Sequence, residues 1–155
     1  MAVDKSATKQ LGRNRRAFYD YAVDETLECG VVLTGTEVKS IRANKFSFSD
    51  AYGRIRNNEL WLIGLHISEY SHGNLFNHEP LRERKLLAHR REIAKLRRKV
   101  DERGFTLIPL TIYLKGGRIK IELGVCRGKK NYDKREGIKE RDQRREVDRE
   151  IRIRS

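Results

Sequence analysis

Residues 107–135 read LIPLTIYLKGGRIKIELGVCRGKKNYDKR, and the fold follows from how this stretch is parsed. Its first part alternates apolar and polar residues and doubles back at Gly116-Gly117, the pattern of a β-hairpin. Period two holds through Ile119, Ile121, Leu123 and Val125, so one face of the second strand belongs to a core. Past Arg127 the alternation stops. Residues 128–135 carry Lys129, Lys130, Lys134 and Arg135 against Asp133, a net +3 in eight residues. A core strand thus runs directly into a basic loop that bears Tyr132. The remaining chain reads as a support that holds this loop, and a second basic face, against something polyanionic.

At 155 residues the chain is expected to form one domain with extensions. Hydrophobic and charged residues each make up 37%, which fits a small core beneath a heavily charged surface. The net charge of +13 exceeds what solubility needs and points to nucleic acid. That charge is unevenly spread. Residues 1–16 carry +4, 17–81 carry −4, 82–103 carry +6, 104–127 carry +3 and 128–155 carry +4. A mildly acidic first half flanked by cationic segments suits a protein that lays chosen faces on phosphate.

The chain is expected to begin with a flexible arm over residues 1–13, polar and unpatterned. Order starts at 14–21, NRRAFYDY, where Phe18 and Tyr21 are expected to anchor a first strand in the core. Residues 25–33 read as a strand. A short helix is expected from Thr36, as N-cap, to Ala43, with Val38 and Ile41 on one side and Lys39 and Arg42 on the other, either solvated or touching RNA. Residues 46–56 and 60–67 form a strand pair around Asn57-Asn58, since asparagine tolerates positive φ. From His89 the pattern is helical: Ile93, Leu96 and Val100 form one stripe, cations fill the rest, and Gly104 ends the helix. The +6 imbalance of residues 82–103 marks this helix for anion binding.

After Gly137 the chain is rich in helix formers with sparse apolar positions, and Glu140–Arg144, Asp148–Arg152 and Glu150–Arg154 have the spacing of i, i+4 ion pairs. Such a tail is expected to be disordered alone and helical on a polyanion.

These elements sum to a mainly β fold. It is an OB-like closed antiparallel barrel of about six strands over residues 14–127, with two or three inserted helices, one plugging a mouth. A basic C-terminal tail covers 128–155. The sequence has no Walker loop, G-x-S-x-G, H-E-x-x-H or C-x-x-C. No carboxylate pair is marked out for acid–base work, so no catalytic residue is assigned. Cys29 and Cys126 stand far apart without companions, which argues against zinc and for core thiols in a reducing cytosol. No cofactor or metal is expected. No apolar run reaches membrane-spanning length and residues 1–16 hold no apolar signal core, so neither insertion nor export by that route is expected.

Five motifs then meet a family. Asn14-Arg15-Arg16-Ala17, Gly35-Thr36-Glu37-Val38-Lys39-Ser40-Ile41-Arg42, Arg84-Lys85-Leu86-Leu87, His89-Arg90-Arg91-Glu92-Ile93 and Gly128-Lys129-Lys130-x-Tyr132-Asp133-Lys134-Arg135 together resemble the SsrA-binding protein family, also called small protein B. The likeness runs in order and spacing over residues 14–141. It implies a cytoplasmic monomer that binds transfer-messenger RNA (tmRNA) and delivers it to stalled ribosomes in trans-translation, with no membrane involved. The implied partners are tmRNA and the small ribosomal subunit with its rRNA. Elongation factor Tu and alanyl-tRNA synthetase would be reached indirectly, through tmRNA.

The likeness also implies residue roles. Asn14, Glu28 and Leu87 match positions that grip the tRNA-like part of the RNA, with Arg15, Arg16, Arg90 and Arg91 beside them. Taken by itself, Glu28 would read as a solvated carboxylate and Leu87 as core. Lys129, Lys130, Tyr132, Asp133, Lys134 and Arg135 match the segment beside the decoding centre. Lys139, Arg141, Arg144, Arg145 and Arg149 belong to the tail that becomes helical in the empty message channel. Gln143 stands where some members have tryptophan. A general OB-type RNA binder without tmRNA specificity is the alternative reading.

Overall fold

The hairpin at the end of the barrel sets its frame. In the computed structural model, which describes residues 8–71 and 77–129, β8 (Thr106–Lys115) and β9 (Arg118–Gly128) pair antiparallel from Lys115↔Arg118 down to Thr106↔Cys126. Gly116 and Gly117 turn at φ 58° and 78°, a pair of left-handed conformations that a two-residue hairpin needs and glycine adopts freely.

The other elements close a ring on this hairpin. They are β1 (Thr8–Arg13), α1 (Arg15–Asp20), β2 (Tyr21–Val31), α2 (Gly35–Arg42), β3 (Phe46–Ser47), β4 (Tyr52–Arg56), β5 (Glu59–Ile63), β6 (His66–Ile67), β7 (Arg84–Leu87) and α3 (Arg90–Arg103). Strand order is β1-β8-β4-β5-β7-β2-β9, and β9 returns to β8, so six strands form a closed antiparallel ring of OB-like type. Closure removes sheet edges, which explains why β5 carries apolar residues on both faces: Leu60 and Leu62 are fully buried within, while Trp61 points outward beneath the Arg56 guanidinium. Asn57 and Asn58 turn the β4–β5 hairpin at φ 53° and 59°, as the asparagine pair suggests.

The main core joins Cys29, Leu60, Leu62, Leu86, Leu107, Ile112, Ile121 and Leu123 from the ring with Ile41 of α2 and Leu96 of α3. Ile93 and Val100 pack beside Leu96, and Gly104 ends α3 at φ 68°. A second cluster forms outside the ring. The β8 register shifts between Pro109 and Thr111, and there Ile108 and Leu110 meet Ala17, Phe18 and Tyr21. A proline, lacking a ladder donor, is accommodated at such a bulge.

Four sequence expectations are corrected. Thr8–Arg13 is not part of a free arm but a strand on β8, pairing Thr8↔Lys115 to Arg13↔Thr111. The cause lies in β8, whose pairing with β4 is confined to Gly53↔Leu107, so residues 111–115 need another partner for their backbone groups. Gly12 fits there because any Cβ would lie 2.6 Å from the Phe46 ring. Residues 15–20 are a helix, so Phe18 and Tyr21 anchor α1 and the start of β2 to the second cluster. Helix α2 is capped by Thr34, not Thr36: the Thr34 hydroxyl accepts from the Glu37 N–H at 3.4 Å and the Glu37 carboxylate accepts from the Thr34 N–H at 2.8 Å. Finally, residues 46–56 are not one strand, because β3 leaves the barrel to pair with β6.

Candidate nucleic-acid interface

Strand registers bring two of the implied RNA-gripping residues, Glu28 and Leu87, onto one face. Residues directly opposite each other across a sheet point to the same side. One outward row runs Gln10–Tyr113–Lys120–Gly30–Leu87 across β1, β8, β9, β2 and β7. The next runs Arg13–Thr111–Glu122–Glu28. Glu28 and Gly30 are two apart on β2, so Glu28 and Leu87 share one face on adjacent strands. Leu87 is 51% exposed, an apolar side chain standing outside the barrel. Its flank is open because Gly30 has no side chain; a Cβ there would sit 3.3 Å from the Leu87 Cβ.

Glu28 is held rather than loose. Tyr113 hydrogen-bonds to it, and Lys115 Nζ donates to Glu28 Oε2 at 3.1 Å. These donors, Tyr113 first, keep the carboxyl below its usual range. Burial, followed by the nearby carboxylate, pushes the Tyr113 phenol up. The face therefore offers an apolar platform, a fixed carboxylate, a neutral phenol and the ammonium groups of Lys115 and Lys120. Sequence reading missed Tyr113, Lys115 and Lys120. Counting outward from the Gly116-Gly117 turn would have found them, since that turn dictates Lys115↔Arg118 and Tyr113↔Lys120.

Asn14 has a structural task. It is 8% exposed and caps α1, its Oδ1 accepting from the Ala17 N–H at 3.2 Å. Its Nδ2 donates to Pro109 O at 2.9 Å and its backbone N–H to Leu110 O at 2.7 Å. All three bonds are internal and fix α1 to the β8 bulge. Arg15 and Arg16 are exposed on α1, with Arg16 3.4 Å from Asp20. Arg90 and Arg91 open α3 directly after the exposed Leu87, and the Glu92 carboxylate accepts from the His89 N–H there at 3.0 Å. Lys129, expected beside the decoding centre, is turned back onto α1. Lys130, Tyr132, Asp133, Lys134, Arg135, Lys139, Arg141, Arg144, Arg145 and Arg149 lie outside the described residues.

Three buried polar side chains, Glu37, Arg84 and His78, are structural. Glu37 and Arg84 are both fully buried and paired at 2.6 Å, and Arg84 Nη1 also donates to Leu65 O at 2.5 Å. Arg82 Nη2 donates to the same Glu37 at 2.5 Å. His78 is buried with Nε2 2.9 Å from Ile67 O, so that nitrogen donates and Nδ1 accepts from the Thr36 hydroxyl at 2.9 Å. Cys29 and Cys126 are free and buried, with burial pushing their thiols up to about 12 and about 11. Among the described residues no group of three or more His, Cys, Asp or Glu is arranged to hold a metal, and no helix is long and apolar enough to cross a membrane.

Fold and face together define a small OB-like barrel whose polar and apolar contact groups are displayed on an outer sheet face. The chain belongs to the SmpB protein family, whose profile matches residues 11–153. An SsrA-binding protein of Desulfitobacterium hafniense (strain DSM 10664 / DCB-2) is 60% identical over 144 residues, 93% of this chain and 92% of that one. One from Treponema denticola is 51% identical over 152 residues, 98% of this chain and 99% of that one. A solved structure described as "tmRNA-SmpB: a journey to the center of the bacterial ribosome" aligns with a TM-score of 0.65 at 47% identity, covering 77% of this chain and 84% of that one.

Proposed function

We propose that this protein binds tmRNA through the outer face of β8, β9, β2 and β7 and delivers it to stalled ribosomes for trans-translation. The observation that carries this reading is the placement of Glu28 and Leu87 on adjacent strands beside the bare backbone of Gly30. Their relatives are SsrA-binding proteins, and a solved relative is described with tmRNA and the ribosome. An unstacked base packs on Leu87, the Glu28 carboxylate accepts from base edges or 2′-hydroxyls, and Lys115 and Lys120 meet phosphates. Cations supply affinity and the folded shape of the RNA supplies selectivity.

The role is that of a cytoplasmic, monomeric binding factor rather than an enzyme. Elongation factor Tu and alanyl-tRNA synthetase join through the RNA. Residues 130–135 approach the decoding centre, and the tail from residue 138 onward becomes a helix in the message channel left empty by a truncated message.

Competition binding tests the first part: tmRNA should displace bulk tRNA at well under equimolar concentration. Equal competition would leave only a general OB-type RNA binder. A chain truncated before Gly137 should bind tmRNA normally yet fail to support tagging of incomplete proteins, and normal tagging by that truncation would defeat the tail assignment.

A further inference from the structure

Helix α3 carries cations all round, but its two flanks are treated differently. On the side facing β2, Lys99 pairs with Glu25 and lies 3.7 Å from Asp24, and Lys95 lies 3.7 Å from Glu25. Those cations are neutralised in docking the helix. On the side facing β5 and β7, Arg90 and Arg98 have no ion-pair or hydrogen-bond partner among the described residues. Between this flank and the two strands runs an open cleft of about 780 Å³. Arg90, Arg97, Arg98 and Lys85 line it against one carboxylate, Glu59, and its floor is apolar, with Ile93, Ala94 and Leu86. Arg97 is fixed at its far end, donating to Asn58 Oδ1 at 2.8 Å. The near end is Leu87, which also lines the cleft.

We infer that this cleft is a second RNA-binding segment, a track for the phosphate backbone that leaves the base seated on Leu87. Free guanidinium groups along one wall match phosphates spaced along a strand, and the apolar floor accepts riboses. Because the cleft begins at Leu87, one strand of RNA can occupy both without a break. An acidic peptide would match the charge but not the continuity with the RNA face. The track adds affinity without sequence preference, since phosphate contacts carry none. Arg90 and Arg98 are the contacts, and Arg97, with its bond to Asn58, sets the end of the track.

The inference rests on the RNA-binding part of the proposed function, and the test keeps the two apart. Full-length protein and the variants Arg90→Gln, Arg98→Gln and Lys95→Gln are titrated with tmRNA and with bulk tRNA over a range of salt. Binding by the unaltered protein reads the proposed function; differences between variants read the cleft. Each of the two arginine variants should flatten the slope of log affinity against log salt by about 1, on both RNAs. Equivalently, the ratio of unaltered to variant affinity should shrink about fourfold as salt rises from about 50 to about 200 mM. Lys95→Gln, on the neutralised flank, should leave the slope unchanged. Equal slopes for all four proteins would overturn the track, and so would an equal change in Lys95→Gln, which would signal overall charge alone. Unchanged RNA slopes combined with lost binding to a polyglutamate peptide would assign the cleft to an acidic protein instead. Thermal unfolding of each variant, expected to match the parent, separates contact from fold.

Discussion

The Lys129 ammonium donates to the Phe18 carbonyl at 3.0 Å, and the Lys129 backbone N–H donates to the Asp20 carbonyl at 2.9 Å. Helix α1 ends at Asp20, where carbonyls have no partner within the helix, so a strand terminus from elsewhere in the chain supplies the donors. Arg13 lies over the Phe18 ring, 4.3 Å from its centroid. The root of the basic segment is thereby fixed to the same helix that Asn14 fixes to β8. Lys129→Ala should remove about 1 kcal/mol and lower Tm by roughly 2–4 °C. Because the ammonium already has an internal partner, tmRNA affinity should fall less than in Leu87→Ala. An unchanged Tm in a calorimetric scan would mean that the clamp does not form in solution.

Asn14 extends the same logic to the helix start. Its truncation removes the α1 cap, worth about 1 kcal/mol, and strips the Pro109 carbonyl of its donor, a further 1–3 kcal/mol roughly. Asn14→Ala should therefore destabilise by about 2–4 kcal/mol in urea unfolding, and RNA affinity measured well below Tm should recover most of its parent value. Asn14→Asp keeps the capping oxygen but sets a carboxylate against a carbonyl, so it should not rescue stability. A variant with parental unfolding but lost RNA binding would return Asn14 to the direct contacts.

The parts legible from sequence share one property: their information is local. Gly116-Gly117 and Asn57-Asn58 announce their turns, and Ile93, Leu96, Val100 and Gly104 announce α3, because conformation there depends on residues within a turn or two. Long-range demands were hidden. Thr8–Arg13 is polar and becomes a strand only because residues 111–115 of β8, paired with β9 on one edge, have no β4 partner on the other. The six-residue α1 is too short for periodicity to register and exists through its contacts with Pro109 and Lys129. At the interface, Glu28 and Leu87 were reached through family likeness alone, since exposure of a leucine is set by a barrel that local pattern does not display.

Glu37 ties α2 to β7 and makes the barrel acid-sensitive. Burial alone would push its carboxyl up, but hydrogen bonds from Arg82, the Thr34 N–H and Arg84 together outweigh that and hold it at about 2, against an ordinary 4.5. A depressed folded value means the contribution is complete above pH 4.5 and is lost as pH falls toward 2. At 1.36 kcal/mol per unit it amounts to about 3 kcal/mol. Glu37→Gln should remove this pH-dependent share and, by leaving Arg84 buried without its counter-charge, cost about 3–5 kcal/mol at neutral pH. Urea midpoints measured from pH 7 down to pH 2.5 check both points. The parent should lose stability more steeply below pH 4.5 than Glu37→Gln, and parallel curves would exclude Glu37 as the source.

Glu28 offers the sharpest test of the proposed RNA face, because a carboxylate has opposite consequences for selective and unselective binding. Toward a phosphate backbone it is repulsive, and Lys115 and Tyr113 cancel only part of that charge. Toward a correctly placed 2′-hydroxyl or base amine it is an acceptor stronger than an amide. Glu28→Gln should therefore weaken tmRNA binding while leaving bulk tRNA binding equal or tighter, narrowing the ratio between them about tenfold if one charged hydrogen bond is lost. Leu87→Ala, which removes a platform already 51% exposed, should lower tmRNA affinity by a similar factor with a Tm within about 2 °C of the parent. Parallel loss on both RNAs in Glu28→Gln would mean that the carboxylate merely positions Lys115, and selectivity would then have to reside elsewhere on the surface.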